Sequence, residues 1–255
     1  MNTPEIAMLE ELAEIIGPHK NDIVLCGGMA VYALYSQGMS GFLPTHTEDI
    51  DLVLERTKRI QKTLNDPTHL LSQSLHNKGY KAIPFRGISE DGLQWEQWES
   101  ENSDFHIEFL TYDHNNKIYK ISGVAAQGLS YFAMSLNNTV EITLPSNATL
   151  RVVSAATCIL HKALTYNRRS NDLKKHKDLY YICYLSLTLF NNLDEMAEAI
   201  KNLDAMSKWI TDGFKSMSKV HSEIDAWIDH IIAQDQQGFL NKENVSAVFE
   251  KFSTS

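Results

Sequence analysis

Hydrophobic positions change their period along this chain, from mixed helical and alternating spacing over the first 153 residues to helical spacing alone thereafter. Ile6, Leu9, Leu12, Ile15 and Ile16 recur at the interval of one helix face, with Thr3 placed to cap it and Pro4 at its first position. Gly17-Pro18 ends that helix. Asp22 to Cys26 reads as a short buried strand, Met29 to Gln37 as a helix stopped by Gly38, residues 38–48 as a loop, and Asp49 to Glu55 as a second strand. Residues 57–77 have helical spacing interrupted at Asn65-Asp66-Pro67, which predicts two helices or a kink. In the run Tyr80 to Phe85, Pro84 predicts a strand near a sheet edge. Leu93 to Trp98 alternates loosely. Phe105 to Tyr112 alternates clearly, with Phe105, Ile107 and Phe109 on one face and His106, Glu108 and Leu110 on the other. Val140 to Leu144 and Thr149 to Val153 are strands joined by the turn residues Pro145-Ser146-Asn147. From Ser154 the spacing predicts helices over 154–166, 171–190, 193–211, 214–233 and 241–252. The fold class is α+β, a mixed sheet flanked by helices in residues 1–153, followed by a C-terminal helical region in 154–255.

Composition narrows the class. A length of 255 residues holds one large domain or two small ones, and 43% apolar with 22% charged residues is the balance of a globular protein. The three cysteines, Cys26, Cys158 and Cys183, are scattered and form no Cys-x-x-Cys pair, which argues against a disulfide framework and against a zinc site. Met1 to Glu5 has no basic segment leading into an apolar one, and the strongly apolar stretch Tyr180 to Phe190 is too short to span a bilayer. A cytoplasmic location without membrane partners is expected, and the Asn-x-Ser/Thr matches at Asn137, Asn147 and Asn244 are read as chance. The net charge of −9 is not that of a general nucleic-acid binder. One stretch runs against it: Lys162, Arg168, Arg169, Lys174, Lys175 and Lys177 face only Asp172.

The chemistry concentrates in two short motifs about twenty residues apart, Gly27-Gly28-Met29-Ala30 and Thr47-Glu48-Asp49-Ile50-Asp51-Leu52. Carboxylates at i and i+2 of a strand share a face roughly 6 to 7 Å apart, a spacing that can hold a divalent ion between them. A glycine turn that opens a helix offers backbone N–H groups and a positive dipole end to phosphate. Each motif alone has a plain alternative, a solvated strand end for Asp-x-Asp and a tight turn for Gly-Gly. Their order, strand, Gly-Gly, helix, loop and Asp-x-Asp strand, points to a metal-bound nucleoside triphosphate.

The residues resemble the nucleotidyltransferase superfamily with a polymerase-beta-like catalytic fold, and within it the AbiEii-type branch that includes toxins of the MenT kind. The likeness spans about residues 20–185. It rests on Gly27 to Leu34, Thr47 to Leu54, Ile107-Glu108-Phe109-Leu110, and His161-Lys162-Ala163-Leu164 followed by Arg168 and Asp178-Leu179-Tyr180. The resemblance implies a nucleotidyltransferase-type sheet as catalytic core in 1–153, with Asp49, Asp51 and Glu108 as magnesium ligands and two magnesium ions with bound triphosphate. It also implies that Gly27, Gly28, Thr47 and Lys162 bind nucleotide and that Asp178 supports the site.

The implied reaction moves a nucleoside monophosphate to an acceptor hydroxyl on a tRNA 3′ end, a protein or a small molecule, with an antitoxin protein as a further partner. Two positions depart from the family pattern: Thr45 stands where many members carry arginine, and Lys175 where one alignment places an acidic residue. Those departures leave open a fold that binds nucleotide or protein without turnover. His46, His106 and His161 each adjoin a candidate but match no zinc spacing, and Trp95, Trp98, Tyr131 and Phe132 serve either to stack a base or to pack the core.

Overall fold

In the computed structural model, residues 3–37, 41–56, 64–88 and 93–255 are described, with residues 85–88 by backbone alone. The chain divides into two compact units, one of Met1–Gln37 and Thr47–Val153, the other of Gly38–His46 and Ser154–Ser255.

The first unit opens as its periodicity predicts. In α1 (Pro4–Ile16) the Thr3 hydroxyl accepts the Ile6 N–H at 3.3 Å, and Leu9, Leu12, Ile15 and Ile16 are buried along one face. A single 3-10 turn, Gly17–His19, leads to β1 (Ile23–Cys26), which passes directly into α2 (Gly27–Tyr35). After the intervening segment comes β2 (Asp49–Leu54). The helical expectation for 57–63 lies outside the described residues. Beyond Asp66-Pro67 the chain forms α3 (Leu71–Asn77) and then three strands, β3 (Lys81–Ile88), β4 (Gln94–Ser100) and β5 (Ser103–Tyr112).

Three elements were not legible in the sequence: β6 (Ile118–Ile121), β7 (Val124–Leu129) and α4 (Phe132–Asn137). Each is too short to display a period. The β6–β7 hairpin turns through Ser122 at φ 53° and Gly123 at φ 79°, a left-handed pair that Ser-Gly only weakly announces. The unit ends with β8 (Thr139–Thr143) and β9 (Thr149–Val153).

The strands form one mixed sheet in the order β3-β4-β5-β2-β1-β9-β8, with β7 pairing β5 and β6 off that path. Pro84 lies in the edge strand β3, where a missing N–H costs no central ladder bond. β1 and β2 run antiparallel, whereas β2 with β5 and β1 with β9 run parallel. The α+β class and the confinement of the described strands to the first 153 residues are as expected.

The second unit contains α5 (Ala155–Thr165), a 3-10 turn at Tyr166–Arg168, α6 (Asp172–Thr188), α7 (Leu193–Lys201), α8 (Ser207–Ser222), α9 (Ile224–Ile232) and α10 (Lys242–Thr254). Two boundaries differ from the periodicity. Helices predicted over 193–211 and 214–233 are instead broken after Lys201 and at Glu223, and Gly213 lies inside α8. That glycine serves packing rather than termination: a Cβ there would stand 2.4 Å from Leu160 Cδ1, so its absence lets α8 press on α5.

Residues 42–46 are held to α6 by side chains of that helix. The Tyr180 hydroxyl accepts the Thr45 N–H at 3.2 Å, the Tyr181 hydroxyl donates to the Thr45 carbonyl at 3.0 Å, and the Tyr184 hydroxyl donates to the Phe42 carbonyl at 2.5 Å. Lys177 Nζ adds a bond to the His46 carbonyl at 2.8 Å. A segment expected as a plain loop is therefore a strap whose backbone groups are satisfied by tyrosine hydroxyls.

Candidate functional site

The carboxylates take their positions from strand pleat and register. Along β2, Asp49 and Asp51 are half-buried while Ile50 and Leu52 are fully buried, so the alternation places both aspartates on the opposite face from the core. The parallel pairing with β5 sets Asp49 against His106 and Asp51 against Glu108. On the other side of β2, Asp51 pairs with Cys26, and beyond β5, Glu108 pairs with Gln97 of β4. One row across the sheet therefore reads Cys26, Asp51, Glu108, Gln97. The next row holds Asp49 and His106, whose Nδ1 lies 3.9 Å from Glu99 Oε1.

Gly27 begins α2 at the end of β1 with φ +68°, a left-handed conformation that favours glycine. A Cβ at this position would stand 1.9 Å from Asp51 Oδ2 and 2.9 Å from its carboxyl carbon. The residue thus does more than expose backbone: it makes room for the Asp51 carboxylate at the first turn of the helix. Cys26, the N-cap, makes no side-chain cap bond, and Gly28 is buried within the turn. Thr47 is buried just before β2.

The donor set suits a hard divalent cation, since it consists of carboxylate oxygens on adjacent strands. Among the described residues no group of three His, Cys, Asp or Glu side chains is gathered closely enough to hold an ion unaided. Such carboxylates could supply part of a shell, with phosphate and water oxygens as the remainder, as magnesium sites at phosphates commonly require.

In the second unit the sequence-predicted pair Lys162 and Asp178 is brought together. Lys162 Nζ donates to Asp178 Oδ1 at 2.7 Å and Arg169 Nε to Asp178 Oδ2 at 3.0 Å, with the side chains of Lys162, Asp178 and Arg169 exposed by 8%, 6% and 43%. The surface pairing of Lys174 with Asp178 that their spacing allows gives way to this buried cluster. Burial alone would raise the Asp178 carboxyl, but the charges and hydrogen bonds of Lys162 and Arg169 outweigh it and hold it below the usual carboxylate range. Lys162 Nζ also sits 4.5 Å from the Tyr181 ring centroid. Burial and the neighbouring Lys162 charge lower the His161 imidazole to about 4, so it is neutral at physiological pH.

The basic stretch is partly consumed by such contacts. Lys175 pairs with Asp172 at 2.8 Å and Lys177 with the His46 carbonyl, while Arg168, Arg169 and Lys174 are exposed. Of the aromatic candidates, Trp98 and Phe132 are core residues, whereas Trp95 and Tyr131 are half-buried. Thr45 is buried, its backbone clasped by Tyr180 and Tyr181.

Sequence reasoning missed Gln97 and the partnership of Arg169 with Asp178. A glutamine on the polar face of a strand carries no chemical signature until register places it beside Glu108, and the Arg169 contact depends on the turn between α5 and α6.

A family profile described as Nucleotidyltransferase matches residues 4–204. The structure is similar to that of an antigenic nucleotidyltransferase-like protein from Paracoccidioides brasiliensis, with 13% identity, 90% of this chain and 94% of that chain covered, and a TM-score of 0.47. It is also similar to the antibiotic-resistance factor ANT(2'')-Ia, with 10% identity, 90% and 100% covered, and a TM-score of 0.45. JHP933 from Helicobacter pylori aligns with 12% identity over 100% of this chain and 94% of that one, at a TM-score of 0.39. No curated protein matches the sequence. Among the described residues no helix is long and apolar enough to cross a membrane.

Proposed function

Because the chain belongs to the nucleotidyltransferase family, and is an enzyme of that kind, we propose that it transfers a nucleoside monophosphate from a nucleoside triphosphate to an acceptor hydroxyl. The observation that carries this reading is the register of β2 and β5, which puts Asp49, Asp51 and Glu108 on one sheet face with the Gly27 turn against Asp51.

In this reading Asp49, Asp51 and Glu108 would hold magnesium, and the ion would supply charge neutralisation at the transferring phosphoryl group. Glu108 takes the proton of the acceptor hydroxyl. The acceptor oxygen forms a bond to the α-phosphorus as the α–β bridge breaks, and pyrophosphate leaves with the bridging electrons. Gly27 and Gly28 admit the triphosphate to the first-turn N–H groups of α2, and Thr47 lines the nucleotide side. Lys162 is assigned the phosphate charge. Only one of its three ammonium protons is committed to Asp178, which leaves donors for that role, and the bond to Asp178 orients the side chain.

We assign residues 1–153 as catalytic core and 154–255 as helical domain, and keep a toxin role of the AbiEii/MenT type on the strength of the motif resemblance alone. For the acceptor we favour RNA, because Arg168, Arg169 and Lys174 are exposed on a chain otherwise rich in acid.

The experiment is label transfer from each α-labelled triphosphate to a cell extract in magnesium. Asp51→Asn keeps the side-chain shape, removes a metal-binding charge and should lower transfer by several orders of magnitude with the fold intact. Activity within about tenfold of wild type would remove the carboxylate face as the reacting centre.

A further inference from the structure

The row across the sheet ends in a side chain that the reaction as written leaves idle. Gln97 is only 5% exposed, lies in register with Glu108, and makes no side-chain hydrogen bond among the described residues. The little surface left to it opens the amide's two N–H donors and its carbonyl to water or to a ligand on that face. A second polar group on the same part of the face does lack a partner. His106 Nδ1 is buried without a hydrogen bond, its nearest charged neighbour being Glu99 at 3.9 Å. A buried imidazole nitrogen without a partner and an amide open to a ligand, both beside a candidate general base, suggest a site completed by something that binds there.

Direction along the row decides what that ligand is. In an in-line displacement the attacking oxygen and the leaving pyrophosphate lie on opposite sides of the α-phosphorus. The pyrophosphate belongs at the Gly27 end, where the α2 N-terminus offers N–H groups and a positive dipole. Strands step roughly 4.8 Å apart, so Asp51, Glu108 and Gln97 extend from that end across the sheet in the direction of the attacking group.

We propose that Gln97 is an acceptor-binding residue whose carboxamide hydrogen-bonds the hydroxyl-bearing end of the acceptor on the β4 side of Glu108. The amide both donates and accepts, which matches an alcohol or a vicinal diol and gives an anionic group only one of the two. Trp95 follows the same alternation on β4 and is half-buried, so it offers a ring edge or face beside the same position. The inference rests on the transferase reading and adds to it a residue for the second substrate.

Gln97→Met and Gln97→Leu test it by two readouts that a purely structural glutamine would not separate. Calorimetry uses magnesium with the α,β-methylene analogue of each triphosphate. Transfer uses the α-labelled triphosphates with a dilution series of cell extract as acceptor source. Both variants should bind the analogue within about twofold of wild type. They should raise the half-saturating extract concentration roughly three- to tenfold, the worth of one hydrogen bond to a neutral group.

Loss of analogue binding in step with transfer would place Gln97 on the nucleotide side and overturn the assignment. So would an unchanged half-saturation in both variants. If Asp51→Asn abolishes transfer while the Gln97 variants behave as wild type, the acceptor subsite fails and the transferase reading stands. A wild-type protein that labels nothing in the extract removes both.

Discussion

Gly27→Ala is the most demanding perturbation of the site, since it adds one methyl group and no charge. The added carbon would stand 1.9 Å from Asp51 Oδ2, where even a tight contact needs about 3 Å, so the carboxylate must retreat by more than about 1 Å or the turn must open. The backbone at φ +68° adds a cost of roughly 1–2 kcal/mol for any residue with a Cβ. The stability loss is thus modest, equivalent to a fall in melting temperature of roughly 2–8 °C. Activity should suffer far more, because a 1 Å misplacement of a reacting constellation costs on the order of 100-fold. Labelled transfer at saturating triphosphate, with circular dichroism melts on the same samples, separates the two effects. Asp51→Asn should then mask Gly27→Ala: with the charge already gone, the double variant should be little worse than Asp51→Asn, as for residues that act as a unit. A folded Gly27→Ala protein with wild-type transfer would refute the argument that Gly27 exists to seat the Asp51 carboxylate.

Asp178→Asn leaves the Lys162 ammonium buried without its counter-charge and should cost about 3–5 kcal/mol, whereas Arg169→Ala, which removes a 43% exposed cation, should cost about 1 kcal/mol or less in urea melts. Equal effects would deny the buried pair its special place. On acidification two groups act in sequence. His161 titrates near 6.5 when unfolded and near 4 when folded, so the stability tied to its neutral form is present above pH 6.5 and is lost as pH falls from 6.5 towards 4. Asp178, held below the usual carboxylate range, contributes stability that persists above that range and is lost only as pH falls through its depressed value. His161→Phe should therefore flatten the urea midpoint between pH 7 and 4.5, and an unchanged slope would contradict it. Finally, triphosphate binding measured by calorimetry should vanish in chelator, since Asp49, Asp51 and the phosphates repel one another without a divalent ion. Equal affinity with and without metal would count against the carboxylate face as the phosphate site.

Much of this architecture was legible because burial on one side imposes a period. The α1 stripe, the alternation of Phe105 to Tyr112 and the cap at Thr3 each record a single local rule, and each appears where expected. The placing of the carboxylate pair was legible for a related reason: Asp49 and Asp51 interrupt an apolar strand on one face only. What sequence could not supply was register. The pairing of Asp51 with Glu108 follows from a sheet order that sets β2 beside β5, about fifty residues further on, and that of Glu108 with Gln97 from a β4–β5 register with a bulge that alternation alone does not fix. Gly213 misled because a glycine inside a helix looks like an end until the side chain that packs over it, Leu160, is known. The Lys162 and Asp178 pair was marked by resemblance, but its burial and its third member, Arg169, depended on the tertiary turn between two helices.

The tyrosine clasp on residues 42–46 sets a timetable for synthesis. Its three hydroxyl bonds join positions 135 to 142 residues apart. At about 5–20 residues per second, Thr45 leaves the ribosome roughly 7 to 27 s before the hydroxyls that will accept its N–H and donate to its carbonyl. During that interval the buried conformation of Thr45 is not available, and residues 42–46 lack these bonds. A nascent chain ending before Tyr180 lacks those partners altogether. Completion of the strap therefore waits on a helix made well after the carboxylate strands, so the finished protein, rather than its N-terminal part, is the form in which residues 42–46 reach their final hydrogen bonding.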